Sequence, residues 1–152
     1  MTRRTLPALA ALILAGTTAL LGSGPTNATT PATGADFQNL APDTSDLSEY
    51  RWSHRPVMIF APSENDDQYE QAMAALQLAQ AGLADRDIIV LTDTDPSANG
   101  ALRQDLNAQG FTMLLVGKDG GVKLRSDDII LPEDLFATID QMPMRQQEMQ
   151  SN

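Results

Sequence analysis

The sequence predicts an α/β domain, a four-stranded mixed sheet flanked by helices in the order β-α-β-α-β-β-α. Three observations carry the prediction. Residues 57–60 and 88–91 are apolar on both faces, as strands covered by helices on each side must be. The segments that follow them repeat apolar residues at helical spacing. Two more strand-like segments, the apolar 111–116 and the alternating 122–125, are separated only by Gly117-Lys118-Asp119-Gly120-Gly121, which is a turn signal and too short for a crossover.

Taken in order, the first strand runs into a polar loop, Ala61-Pro62-Ser63-Glu64, and then a helix start. Asp66 or Asp67 can cap that helix, and Glu70 suits its positive end. Tyr69, Met73, Leu76 and Leu83 make one apolar face, with Gln71, Gln77 and Gln80 mostly opposite and Gly82 near the end. After the second strand, Asp93-Thr94-Asp95-Pro96-Ser97 turns the chain. Ala98, Leu102 and Leu106 then mark a second helix, which Gly110 is placed to end. Asp119-Gly120 predicts a tight hairpin with positive φ at both central residues. The fourth strand alternates Val122, Lys123, Leu124, Arg125, as an edge strand with one wet face does. Pro132, Glu133 and Asp134 open a third helix with an apolar face of Leu135, Phe136, Ile139 and Met142, and Pro143 ends it. A parallel pair joined through a helix, then a hairpin and a closing helix, is the thioredoxin-like plan.

The amino end reads as a secretory signal: Arg3 and Arg4, an apolar run from Leu6 to Leu21, then small and polar residues up to Ala28. Residues 1–28 are therefore expected to be a signal peptide, with an uncleaved anchor as the alternative. Removing them also removes Arg3 and Arg4 and deepens the net charge from −10 to −12. Residues 29–46, rich in Thr, Pro, Gly and Asp, are expected to be a flexible leader, and 47–149 the domain. This places the protein in the periplasm or outside the cell, with no integral span once the signal is gone.

So acidic a chain repels nucleic-acid phosphates, and nucleic acid is excluded as a partner. The chain has no cysteine. Disulfides, thiol redox catalysis, thiolate metal sites and lipid attachment at a cysteine are excluded with it.

Arg51-Trp52-Ser53-His54-Arg55-Pro56, the segments 83–91 and 111–126, and Ile139-Asp140-Gln141-Met142-Pro143-Met144-Arg145 together resemble a family of bacterial secreted proteins classed as a domain of unknown function. A related domain occurs in the sushi-repeat-containing X-linked protein and in Equarin. The resemblance spans about residues 47–149 and implies a thioredoxin-like fold, with no agreed activity and no catalytic residue to carry over. Ser63 stands near the position of a thioredoxin's nucleophilic thiol, and a serine hydroxyl cannot cycle through a disulfide. Phe111 stands where thioredoxins place the cis-proline that shapes their substrate groove.

Four candidate sites follow. The loops after the first two strands lie at one edge of the sheet and carry Glu64, Asp66, Asp93 and Asp95, an oxygen-rich set that suits a hard cation. The calcium-loop pattern begins at Asp93, Asp95 and Ser97 but fails at Ala98 and Gln104, and the competing reading makes these acids caps and turn formers. His54, the one histidine, has no partner motif, and Arg51 and Arg55 are placed to stack on Trp52. Lys118, Lys123, Arg125 and Arg145 form a basic group in the last third of the chain, either a docking patch for an acidic partner or edge-strand protection. Met142, Met144 and Met149 could suggest copper, but methionine more often fills gaps in a core.

No phosphate-cradling loop is present, and no cofactor is expected. The expectation is thus an exported, non-redox binding module whose partner is an envelope protein or polymer. The alternative is a metal-assisted or acid/base enzyme using Glu64, Asp66 and Asp93.

Overall fold

The computed structural model describes residues 34–152. The expected signal peptide, 1–28, lies outside the described residues, as does the start of the leader. The elements are β1 (Asp36–Asn39), β2 (Arg55–Phe60), α1 (Asp67–Leu78), α2 (Gln80–Asp85), β3 (Ile88–Asp93), α3 (Ala101–Asp105), β4 (Thr112–Val116), β5 (Val122–Ser126), α4 (Pro132–Asp140) and α5 (Pro143–Ser151).

Among the described residues the sheet has five strands, not four, in the order β1-β3-β2-β4-β5. The added strand, β1, lies inside the segment expected to be a flexible leader. It pairs parallel with β3, Phe37 opposite Val90, and the Leu40 N–H donates to the Thr92 carbonyl at 2.7 Å. β2 is central, parallel to β3 and antiparallel to β4, which pairs in turn with β5.

Strand alternation divides the core into two layers. Val57, Ile59, Val90, Met113 and Leu115 pack with Leu76, Leu83, Leu135 and Ile139 from α1, α2 and α4. Met58, Phe60, Ile89, Leu91, Leu114 and Val116 pack on the other face with Leu102, Ala108, Leu40, Leu47 and Tyr50. The doubly apolar runs β2 and β3 are central because both faces are covered.

Three helix boundaries differ from expectation. The first helix breaks at Ala79, whose amide reaches back only to Leu76, and resumes as α2. Ala98 ends a short 3₁₀ turn, and the helix carrying Leu102 stops at Asp105, before a left-handed Asn107, so Gly110 does not end it. Pro143 ends nothing; it is the first residue of α5, where its fixed φ suits a helix start.

The hairpin also differs. Only Gly120 has positive φ, at 84°. Its amide donates to the Gly117 carbonyl at 2.9 Å, and a register shift at Leu115/Val116 absorbs the odd residue. A Cβ at position 120 would lie 2.7 Å from Arg51 Nε, so the Arg51 guanidinium rests on this turn. That is where Arg51 goes instead of onto Trp52.

Candidate functional site

At the β2–α1 junction, Ala61 is buried and Pro62, Ser63 and Glu64 are exposed. The Asp66 carboxylate accepts from the Tyr69 N–H at 3.0 Å and caps α1. Asp95 accepts from the Ser97 N–H and hydroxyl, which hold its carboxyl below the usual range. Glu64, Asp93 and Asp95 border one shallow hollow of about 220 Å³. Among the described residues no three His, Asp or Glu side chains are placed to hold a metal ion.

Asp93 is held by a residue the sequence reading passed over. Arg103, 6% exposed, donates from Nε and Nη2 to both Asp93 carboxylate oxygens at 2.9 and 3.0 Å. Its Nη2 also reaches the Asp93 carbonyl at 2.8 Å and the Ala61 carbonyl at 3.0 Å. The guanidinium lies 5.4 Å from the Phe60 ring centre. One arginine thus ties the ends of β2 and β3 to α3. The signal was available: Arg103 is the single cation between Arg86 and Lys118, in a stretch otherwise neutral or acidic.

His54 precedes β2 and Ser63 follows it, so the strand's length of roughly 20 Å separates them. His54 contacts the Ser53 hydroxyl at 3.0 Å and meets Tyr50 edge-on. Among the described residues no nucleophile–base pair exists at this junction.

At the opposite end of the sheet an ionic network seats α5. Arg55, 1% exposed, donates to the Arg86 carbonyl at 2.8 Å and to Glu148 at 3.1 Å. Lys118 Nζ reaches Asp87 at 2.7 Å and Glu148 at 2.8 Å. Arg145 pairs with Asp85 and, at 3.4 Å, with Asp140, which Arg86 also holds at 2.6 Å. Burial works against ionised Glu148, but hydrogen bonds from Lys118 and Arg55 outweigh it and lower its pKa. Asp140 is lowered by the Arg86 hydrogen bond, burial opposing and Arg145 assisting.

The expected basic group is therefore split. Lys118 and Arg145 are buried in this network, while Lys123 and Arg125 stay on the exposed edge strand β5. Lys123 pairs with Asp119 at 2.7 Å, and Arg125 donates to the Leu106 carbonyl at 2.7 Å. Of the three methionines, Met142 packs on the core and Met149 is exposed near the far end of α5.

Against the β4–β5 turn, at Lys118, stands the chain's one tryptophan. Trp52 is 66% exposed and adopts φ of 65°, a conformation that costs a bulky side chain about 1–2 kcal/mol. Its N–H donates to the Lys118 carbonyl at 2.8 Å, which fastens the loop to the hairpin. Arg51, Leu47, Leu106, Gly120 and Val122 line a groove of about 330 Å³, and Val122 is half exposed.

A mixed sheet between helices, with a strand–loop–helix junction that carries no thiol, defines a thioredoxin-like fold without cysteine. The chain belongs to the family described as Domain of unknown function (DUF4174), whose model matches residues 46–148. It is 29% identical over 133 residues to Coiled-coil domain-containing protein 80 of Danio rerio, covering 68% of this chain and 15% of that protein. Among solved structures it is similar to chloroplastic thioredoxin z, at 16% identity and a TM-score of 0.54, over 70% of this chain and 93% of that one. A second is thioredoxin-2, a component of malaria parasite protein secretion machinery, at 19% identity and a TM-score of 0.49, over 59% and 84%. The likeness to thioredoxin z shows the fold alone. No helix among the described residues is long and apolar enough to cross a membrane.

Proposed function

We propose that this chain is an exported, non-redox binding module of the bacterial cell envelope that docks another envelope protein through Trp52 and the β5 edge. The same reading makes it kin to the domain of the sushi-repeat-containing X-linked protein and Equarin. Trp52 is the observation that carries the docking face. A large aromatic held in a strained backbone and left two-thirds exposed gains little within its own fold, whereas tryptophans of this kind anchor interfaces. Arg125 and Lys123 on the neighbouring strand favour an acidic partner surface. The enzyme alternative keeps Glu64 exposed but finds Asp93 paired with Arg103 and Asp66 engaged as a helix cap.

The absence of cysteine permits a direct test. Single cysteines at Val122 and, as a control, at the fully exposed Leu78 of α1 each carry a photocrosslinker in the exporting cell. Adducts are expected from Val122→Cys and not from Leu78→Cys, and Trp52→Ala together with Arg125→Glu should abolish them. Equal labelling from both positions, or labelling indifferent to those substitutions, sinks the docking face.

A further inference from the structure

Beneath the start of α5 lies a cleft of about 250 Å³ whose walls differ from those of the groove beside Val122. It is lined by Arg55 from β2, Gly117, Lys118 and Asp119 from the hairpin turn, Lys123 from β5, and Met142, Pro143 and Met144 from the α4–α5 corner. Three features there ask for a negative charge. Arg55 is 1% exposed, and its Nε is buried with no hydrogen-bond acceptor among the described residues, a cost the fold would shed if an acceptor arrived. The α5 N-terminus has Met142 at its cap, with no side-chain acceptor and no acidic residue in the first turn. The Met144 and Arg145 amides therefore lack an intrahelical partner, at the positive end of a nine-residue helix. Lys123 adds a partly exposed ammonium.

The remaining wall is apolar, made by two methionines and a proline. Soft, adaptable thioether side chains suit a short hydrocarbon body. We propose that this cleft binds a small carboxylate with an apolar tail, its head group taken by Arg55 Nε, the α5 amides and Lys123.

The acids around the cleft define the competition. Glu148 engages Lys118 and the Arg55 Nη2, and Asp87 engages Lys118 and approaches Arg55 Nη1 at 4.0 Å. Neither touches Arg55 Nε. Asp119 does compete, because its carboxylate holds Lys123 Nζ at 2.7 Å and also accepts from the Gly121 N–H. A ligand carboxylate must displace it, so neutralising Asp119 should strengthen binding where removing Lys123 weakens it.

The test is titration of the ¹⁵N-labelled full chain with hexanoate, with hexanol, acetate and inorganic phosphate as comparisons. Hexanoate should give saturable shifts confined to Gly117, Met144, Arg145 and the Arg55 Nε–H, with hexanol, acetate and phosphate much weaker. Asp119→Asn should tighten hexanoate several-fold, and Lys123→Met should weaken it about tenfold, the scale of one charge-assisted hydrogen bond. Hexanol equal to hexanoate would overturn the anion assignment, and phosphate or acetate equal to it would overturn the apolar tail. Shifts that do not saturate, or affinities unmoved by both substitutions, would overturn the site. Asp119→Asn removes none of Trp52, Lys123 and Arg125, so its effect on hexanoate and the crosslinking result stand or fall separately.

Discussion

Replacing Arg103 by alanine tests whether the acidic edge is internal structure or available chemistry. The guanidinium makes two bonds to the Asp93 carboxylate and one each to the Asp93 and Ala61 carbonyls, all within 3.0 Å, plus a weaker one to Ala108. Both side chains of the pair are nearly buried, at 7% and 10% exposure. Arg103→Ala leaves Asp93 charged and desolvated, which costs about 3–5 kcal/mol when a buried pair loses one member. Against a usual total of about 5–15 kcal/mol, that is a large fraction of the stability. Urea unfolding at neutral pH should show the loss as a lower midpoint with unchanged slope. Asp93→Asn should cost less, since an amide oxygen still accepts from Arg103, and the double variant Arg103→Met with Asp93→Leu should recover part of the loss. It should not recover all of it, because the Ala61 carbonyl loses its Arg103 donor and the Asp93 carbonyl keeps only the Ala61 N–H. A loss below about 1 kcal/mol for Arg103→Ala would mean that water already solvates Asp93. The internal role would then be refuted, and Asp93 would return as a free carboxylate beside Glu64.

Two further outcomes follow from particular residues. Glycine at position 52 should be more stable than alanine there by about 1 kcal/mol, because only glycine takes φ of 65° without strain; the reverse order in thermal unfolding would show that the backbone is not left-handed. Glu148 and Asp140 have folded pKa values below their ordinary 4.5 and 3.8, so each contributes stability above those values and loses it as pH falls through the lower folded ones. The unfolding midpoint should therefore drop on acidification below about pH 4.5, and Glu148→Gln should flatten that drop while lowering stability at neutral pH; identical acid slopes with and without Glu148 would refute it.

Periodicity made the centre of this fold legible. β2 and β3 announced themselves as doubly apolar runs, and Leu76, Leu83, Leu135 and Ile139 fell on the faces that pack against them. The misses share a cause, which is structure held by backbone or charge instead of apolar pattern. β1 is Asp-Phe-Gln-Asn, with one apolar residue, and it exists because the edge of β3 offers unpaired amides and carbonyls. α5 is Gln-rich with no strong apolar face, and it is seated by Arg145 and Glu148, whose partners Asp85, Arg55 and Lys118 are at least 30 residues away in sequence. A pattern reading sees Lys118 and Arg145 as surface cations, because the acids that bury them are remote. Asp66 and Asp95 lie at the other extreme: each accepts from an amide two or three residues on, so their capping roles could be read locally.

The same contrast explains why a strand–loop–helix junction persists without a thiol. β2 must leave the sheet before α1 can cross its face, and that exit needs a capped helix start and a fixed strand end. Asp66 supplies the first and Arg103, through Ala61, supplies the second. A junction clamped in this way has little freedom to open around a substrate. The strained, exposed position is Trp52 instead, fastened to the β4–β5 hairpin at the opposite end of β2 from that clamp. Under the proposed function, a costly backbone at Trp52 and a clamp at Arg103 put recognition along the β5 edge, at the other end of β2 from the junction with α1.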